Sequence, residues 1–459
     1  MKELEENNAA IFAGAGLSAG SGHADWSGLV KDFADELNLD IKKETDLIAL
    51  VQYHLNANAH NRHQLNQKIA NEFHHGKQPN ENHKILAKLP INTFWTTNYD
   101  RLIETALTNE NKVVDVKYVE KHLTTTIHGR KAVVYKMHGD VEHPDDAILS
   151  KDDYERYHKT HATFLNALAG DLVSKTFLFV GFSFTDPNLE FVLSRIRVTF
   201  TSNQRPHYAI FREVKQDKDE PKTDFEYRKI KQELFIQDLM RFNIKVLLVK
   251  EYSQITSILN EIENRFKRKT IYISGSAHEY GGWDSSTAES FISSLSKKLI
   301  ESDYKIVSGF GLGVGSFVIN GVLEEIYLNK KENLEDQLLL RPFPQGKKGK
   351  ELWPTYRKDM ISYAGVSLFV FGNKLENNEL VVADGVRKEF EIAKQQNVLL
   401  IPVGATGSMA KKLYDEISTD FEKYFELGVK SDFEKLGDSS LTPEDLIESI
   451  LTFIDKVTK

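Results

Sequence analysis

The apolar positions along the chain follow two rhythms. Short, mostly apolar runs recur at 9–12, 93–96, 132–135, 177–180, 207–211 and 245–249. Each is too short for a globular helix and reads as a buried strand. Between them, apolar residues fall three and four apart. The clearest case follows Asp25: Trp26, Leu29, Val30, Phe33 and Leu37 keep the i, i+3, i+4, i+7 spacing, and Asp25 is placed to cap that helix. Further helices are predicted over 100–107, 161–173 and 255–266, with 217–222, around Pro221, as a solvated loop. Strands alternating with helices predict an α/β fold on a mostly parallel sheet.

The pattern then restarts. Strands are predicted at 270–273, 305–307, 366–371 and 398–402. Helices are predicted at 288–300 and 385–396, and after 316 through Phe317, Val318, Val322 and Ile326. The expectation is two Rossmann-like, three-layer α/β domains with mostly parallel sheets, residues 1–267 and 268–459. No short internal repeat or low-complexity segment interrupts them.

Composition narrows the classes. A length of 459 residues suits two or three domains. A formal charge of −8 argues against a general nucleic-acid binder, whose footprint is basic. The absence of cysteine removes disulfides, thiol nucleophiles and cysteine-ligated zinc. Residues 1–8 are acidic and polar, unlike a signal peptide, and no apolar run approaches the roughly 20 residues of a membrane span. A soluble, cytoplasmic protein is expected.

Candidate chemistry sits where strands end. After the first strand comes Ala13-Gly14-Ala15-Gly16-Leu17-Ser18, whose glycines let the backbone turn tightly and approach a phosphate. Three polar segments also follow predicted strands: Thr96-Thr97-Asn98-Tyr99-Asp100, Lys136-Met137-His138-Gly139-Asp140, and Gly181-Phe182-Ser183-Phe184-Thr185-Asp186-Pro187-Asn188. In an open parallel sheet the strand carboxyl ends gather at one edge, where ligands bind. In the second half the matching features are Ser274-Gly275-Ser276, the glycine-rich run 308–316, and the later Arg357, Lys374 and Glu389. Arginine can hold a phosphate with two parallel bonds, lysine adds a point charge, and Glu389 can accept from ribose hydroxyls. Residues 341–350 are expected to flank the entrance, with Lys347, Lys348 and Lys350 on a mobile solvated loop. Each feature also has a local alternative: a tight turn for 14–18, a turn and helix cap for Asn98 and Asp100, a turn histidine for His138, and surface charges for Arg357 and Lys374. His54, His60, His63, His74, His75 and His83 carry no metal-ligand motif and read as a solvated helix face, so no metal is expected.

Taken together, Gly14-Ala15-Gly16-Leu17-Ser18, Ser21-Gly22, Asp25, Asn98, Asp100, His138-Gly139, Gly181 and Ser183 resemble the sirtuin (SIR2-like) superfamily over roughly residues 5–265. Two departures matter. Trp26 is followed by Ser27 where sirtuin deacylases carry arginine, and their four-cysteine zinc module has no counterpart. The chain is therefore more similar to the SIR2-like domains of prokaryotic antiviral defence proteins, in which water takes the ribosyl group. That resemblance implies NAD as substrate, contacted by Ala13, Gly14, Ala15, Ser18, Asp25, Asn98, Asp100, Gly181, Ser183 and Asp186. It implies that Asn98 positions the water, that His138 engages a ribose hydroxyl as general base, and that nicotinamide and ADP-ribose leave without help from a metal.

The second half resembles the SLOG superfamily of nucleotide sensors over about 270–459, through Ser274-Gly275-Ser276, Ser308-Gly309-Phe310-Gly311 and Gly385-Val386-Arg387-Lys388-Glu389. The pairing of the two resembles the effector family of the Thoeris anti-phage system. It implies activation by a cyclic ADP-ribose isomer that a partner TIR-domain enzyme makes. The expected contacts are Ser274, Gly275, Ser276, Gly309, Phe310, Gly311, Arg357, Lys374 and Glu389, within a homotetramer or larger assembly. Two rival readings stand beside this one: a sirtuin-type deacylase or ADP-ribosyltransferase, and a non-catalytic dinucleotide-binding sensor or scaffold.

Overall fold

The apolar runs become the strands of two parallel sheets. The computed structural model describes residues 1–74, 76–200, 204–328, 337–344 and 346–458. The chain divides into two units, Met1–Glu263 and Asn264–Lys459.

The first unit carries β1 (Ala9–Ala13), β2 (Thr93–Thr96), β3 (Val114–Lys117), β4 (Ala132–Lys136), β5 (Thr176–Val180), β6 (His207–Arg212) and β7 (Ile244–Val249). They form one sheet in the order β3-β4-β2-β1-β5-β6-β7, with every pair parallel. The chain starts at the centre with β1, adds β2 beside it, passes to the edge as β3, fills the gap with β4, then returns to lay β5 on the other side of β1. This reversal opens a crevice at the carboxyl ends of β1 and β5, the place where open α/β sheets receive ligands. Strands β1, β2 and β5 are almost wholly buried, as a parallel sheet covered on both faces requires. Phe12, Trp95, Phe164, Phe177 and Phe179 fill the main core of this unit. A second cluster, with Leu29, Val30, Phe33, Leu50, Val51 and Leu65, comes from helices inserted between β1 and β2. Asp25 caps the helix Trp26–Glu36 as expected, accepting from the Gly28 N–H at 2.8 Å.

Two elements escape the apolar pattern. β3 places charged residues inside the fold, where Lys117 and Asp115 form a buried ion pair at 2.7 Å. The helix Lys222–Leu239 carries Tyr227, Ile230 and Leu234 on an exposed side and Phe225, Ile236 and Leu239 on the opposite one, so no single apolar face announces it; Lys222 opens this helix rather than ending a loop. The histidines also need correcting. His60, His63 and His74 are exposed, but His54 and His83 are buried. His54 shares the inward face of Leu47–Ala57 with Leu50, Val51 and Leu55, and stacks on Phe33 with ring centroids 4.4 Å apart. His75 lies outside the described residues. Among the described residues no group of three or more His, Asp or Glu is placed to hold a metal ion. No described helix is long and apolar enough to cross a membrane.

The second unit carries β8 (Thr270–Ser276), β9 (Lys305–Ser308), β10 (Leu338–Leu340), β11 (Val366–Phe371), the hairpin β12 (Asn373–Glu376) and β13 (Glu379–Val382), and β14 (Leu399–Pro402). The main sheet has the order β10-β9-β8-β11-β14 and is again parallel throughout. Both units are therefore α/β with Rossmann-like parallel sheets. The expected loop at 341–350 is shorter than predicted, because the helix Gly346–Ser362 begins inside it and carries Lys348 and Lys350. The turn ahead of that helix is pinned by Trp353, whose indole N–H donates to the Pro344 carbonyl at 2.8 Å and whose ring packs on Phe343. Gln345 and the Lys347 side chain lie outside the described residues.

Candidate functional site

At the crevice of the first unit the glycine loop rests directly on the loop after β5. Gly14 N–H donates to the Val180 carbonyl at 3.0 Å and Gly16 N–H to the Gly181 carbonyl at 2.9 Å. A Cβ on Gly14 would stand 2.4 Å from the Gly181 oxygen, and one on Gly181, whose φ is +64°, would stand 2.2 Å from the Leu17 nitrogen. The glycines thus permit two loops to touch. Leu17 N–H turns back to the Gly14 carbonyl at 3.0 Å. The N–H groups of Gly14, Gly16 and Leu17 are therefore engaged within the fold rather than held free for a phosphate, and the helix that follows is only Ala15–Ala19.

Asn98 and His138 are brought to one edge by sheet register. Thr96 pairs with Lys136 at the ends of neighbouring β2 and β4, and each functional residue lies two positions further on. Both side chains are buried. The Asn98 amide N–H₂ donates to the Gly14 carbonyl and to Ser18 Oγ, each at 3.1 Å. Its backbone N–H donates to Thr96 Oγ1, which itself donates to the Ala13 carbonyl. Asn98 is thereby fixed to the glycine loop with its carbonyl Oδ1 left over as an acceptor.

His138 faces Asp186 across the crevice, Nε2 to Oδ2 at 2.8 Å. Tyr154 Oη lies 3.4 Å from both of these atoms. Burial works to raise the pKa of Asp186, but His138 and the backbone N–H groups of Leu189 and Asn188 hold it below the usual carboxylate range. The Asp186 side chain is thus turned to the histidine and to its own helix cap. Ser183 is exposed and bonds to Thr185; Asp25 is exposed and engaged as a helix cap.

Asp100 has one oxygen on the Leu102 N–H at 3.0 Å, the local cap, while its buried Oδ2 has no hydrogen-bond partner among the described residues. Ser21 Oγ and Asn188 Nδ2 are likewise buried and unpaired. Such atoms are rare in folded proteins and call for a ligand or water. All three belong to the polar segments that follow β1, β2 and β5. Lys136, which sequence reasoning passed over, is fully buried beneath the site; its ammonium reaches the Tyr99 carbonyl at 3.1 Å, Glu104 at 3.2 Å and Asp140 at 2.8 Å. An isolated lysine closing an apolar strand four residues before an aspartate was the available signal.

The second unit gathers three of its expected residues. Ser274 Oγ donates to Glu389 Oε2 at 2.6 Å, and Arg357 Nε donates to Glu389 Oε1 at 3.2 Å, all three buried. The Arg357 guanidinium also lies over the rings of Phe343, at 4.9 Å, and Trp353, at 5.3 Å. The glycine run is seated on β8: a Cβ on Gly311 would stand 1.9 Å from the Gly275 oxygen, and one on Gly309 2.8 Å from Phe343. Phe310 stays exposed with φ at +57°. Lys374 does not join Arg357 directly. It lies on the hairpin, paired with Asp384 at 2.6 Å and Glu376 at 3.2 Å. Asp384 in turn precedes Gly385, whose Cβ would stand 3.1 Å from Arg357 Nη2. Asn373 was missed. Buried beside Ser276, it accepts from the His278 and Glu279 N–H groups and donates to the Glu279 carbonyl and Ser408.

Two α/β units with parallel sheets, each with a glycine loop seated at its strand ends and a buried polar cluster beside it, place the chain in the class of two-domain Rossmann-like proteins. Residues 254–457 match the Sir2- and TIR-associating SLOG family, and residues 92–235 match the SIR2-like domain. Full-length relatives carry the name NAD(+) hydrolase ThsA. The one from Bacillus cereus (strain MSX-D12) is 54% identical over 99% of this chain and 96% of its own length. Those from Cytobacillus dafuensis and Acinetobacter baumannii (strain 532279) are 50% and 48% identical, covering 99% and 98% of this chain and 94% and 96% of their own lengths. The chain belongs to the ThsA family of Thoeris effectors.

Proposed function

We propose that this chain hydrolyses NAD to nicotinamide and ADP-ribose with Asn98 and His138, and that a cyclic ADP-ribose isomer bound near Arg357 switches the reaction on, so that infection depletes NAD. The observation that supports the catalytic half best is the convergence of Asn98 and His138 at the ends of adjacent strands, with buried polar atoms of Asp100 and Asn188 in the same strand-end segments that have no partner among the described residues. Asn98, held through its amide N–H₂, offers Oδ1 to the attacking water. As the C1′–N bond breaks, its electron pair leaves with neutral nicotinamide. The water oxygen bonds C1′ and its proton passes to the ribose oxygen, whose own proton has gone to His138, so one proton is released for each NAD cleaved and the ribose oxygen stabilises the oxocarbenium-like transition state. Asp100 Oδ2 accepts an N–H of the dinucleotide.

The sensing half rests on the Ser274–Glu389–Arg357 network. With Nε on Glu389, Arg357 keeps its Nη groups for a phosphate, Glu389 is placed for a ribose hydroxyl, and Phe343 and Trp353 form an apolar wall. The match to a TIR-associating family supports a TIR-domain enzyme as the source of the ligand. In this reading the chain acts in the cytoplasm as a homotetramer or larger assembly.

The test is nicotinamide release from NAD by the full chain, with and without a panel of cyclic ADP-ribose isomers. Asn98→Ala and His138→Ala should be inactive, down at least 10²-fold. Arg357→Ala should need more ligand and then reach the same rate. Release that depends on an acyl peptide would restore the deacylase reading. Binding of NAD without release under any isomer would favour the scaffold.

A further inference from the structure

His138 and Asp186 are 48 positions apart in sequence, and nothing in their spacing says that they meet. In the fold they are paired at 2.8 Å, both buried. We propose that Asp186 is a positioning residue for His138, fixing the imidazole as the Nε2–H tautomer so that Nδ1 is the atom that takes the proton. The proposal rests on the reading of His138 as the general base.

Three observations carry it. First, Asp186 cannot swing away easily. It is the N-cap of the helix Pro187–Thr199, and its other oxygen accepts from the Leu189 N–H at 2.9 Å, with Pro187 holding the first helical position. Second, the imidazole is set from its own side. The His138 carbonyl accepts from the Ile148 N–H at 2.9 Å, and the Tyr154 ring stands edge-on to the imidazole at 83°. Third, the protein offers partners to Nε2 alone; Nδ1 has none among the described residues. An ionised carboxylate only accepts hydrogen bonds, so the hydrogen between the pair belongs to Nε2, and the neutral ring then carries its lone pair on Nδ1.

The other titratable groups packed against the pair leave this arrangement standing. Burial raises Tyr154 and Tyr157 well above the ordinary phenol, and Tyr99 too, so all three are neutral in the working range. Burial lowers His161, which stands within electrostatic range of His138, and keeps it neutral as well.

The experiment uses the full chain with selectively ¹⁵N-labelled histidine, the His138 signals being assigned by their loss in His138→Gln. The wild type should show the Nε2–H tautomer at neutral pH; an Nδ1–H tautomer overturns the proposal. Asp186→Asn keeps an oxygen for the Leu189 cap but turns an N–H₂ donor toward Nε2, reversing the tautomer. Nicotinamide release from NAD, with cyclic ADP-ribose isomers present, should then fall about 10²–10⁴-fold in kcat, with KM within roughly threefold. Asp186→Glu should recover part of the loss. The acid limb of the kcat profile in Asp186→Asn should also move to lower pH, because the imidazolium loses its counter-charge. An Asp186→Asn protein with wild-type kcat and an unmoved acid limb overturns the proposal while His138→Ala remains inactive. If His138→Ala is itself active, the site reading fails and this inference falls with it. Should Asp186→Asn not fold, the wild-type tautomer decides alone.

Discussion

Lys136 has no solvent contact, yet it carries a charge between Glu104 and Asp140 and reaches back to the Tyr99 carbonyl. Burial works against that charge, but the two carboxylates and Asp100 outweigh it and raise its basicity. One ammonium thus ties the segment bearing Asn98 and Asp100 to the segment bearing His138. Removing it while leaving two buried carboxylates is costly. Lys136→Met should lower the unfolding free energy by about 3 kcal/mol, the low end of the range, since Arg101 still pairs with Asp140. Urea unfolding measures this, and a change under 1 kcal/mol (roughly the worth of a surface pair) would show that the network does not stabilise the unit. Two buried histidines make a second residue-level prediction. Burial lowers His83 and His207 to about 4 from the ordinary 6.5. His207 is needed neutral, because its Nδ1 accepts from the Phe177 N–H at 3.1 Å. Between pH 6.5 and 4 the unfolded chain binds protons that the folded chain refuses, so stability falls as pH drops through that window and flattens below it. Each histidine contributes up to roughly 3 kcal/mol of this loss. The urea midpoint of His207→Gln should vary less over the window than that of the wild type; equal slopes would exclude His207 as a source. The placement of Asn98 and His138 just past the ends of strands was legible from sequence, since each follows an apolar run. The partners of His138 and Lys136 were not, because motif spacing carries no information about which distant side chain a residue will face.

At the scale of elements, the strands at the centre of each sheet were legible because parallel strands buried on both faces must be nearly all apolar. β3 was not, since its buried Lys117 and Asp115 look solvated in sequence. The helix Lys222–Leu239 was not, since its apolar residues do not share one face. The glycine loops were legible as turns, but their physical purpose was read too narrowly. Gly14, Gly16 and Gly181 let the loops after β1 and β5 interlock, which in turn seats Asn98 through the Gly14 carbonyl. A methyl group at Gly181 meets the Leu17 nitrogen at 2.2 Å and also forces an alanine to φ +64°. Backbone has to move to make room, and Asn98 moves with it. Gly181→Ala should therefore destabilise by at least 2 kcal/mol and reduce nicotinamide release at least 10²-fold. Gly22 has a similar φ, +86°, but open space around its Cβ, so Gly22→Ala should cost only about 1 kcal/mol. Thermal melts of the two variants side by side separate contact from conformation. Equal losses would mean that backbone strain alone is at work and that the loops need not touch.

At the scale of the whole molecule, two sites on one chain become a switch only if they share free energy. A ligand that binds resting and active states equally shifts nothing, however tightly it is held. In the proposed reading the cyclic ADP-ribose isomer prefers the active state, and linkage then makes a demand that does not depend on how the units are arranged: if the isomer tightens NAD binding by some factor, NAD tightens isomer binding by the same factor. Asn98→Ala makes the demand measurable, because a chain that cannot cleave NAD can be saturated with it. Titration of the activating isomer into Asn98→Ala, with and without saturating NAD, should give two dissociation constants in a ratio equal to that of the reverse experiment. Typical couplings of 1–3 kcal/mol place the ratio between about 5 and 150. A Glu389→Gln change alters the Ser274–Glu389–Arg357 network, in which Glu389 accepts two hydrogen bonds. It should weaken isomer binding while NAD binding in the isomer's absence stays as it was. Equal NAD affinity with and without isomer, in a chain whose cleavage the isomer still triggers, would rule out gating through NAD affinity. The switch would then lie in the placement of Asn98 and His138 around an NAD molecule already bound, and tautomer and rate measurements at His138, rather than binding, would be where activation is read.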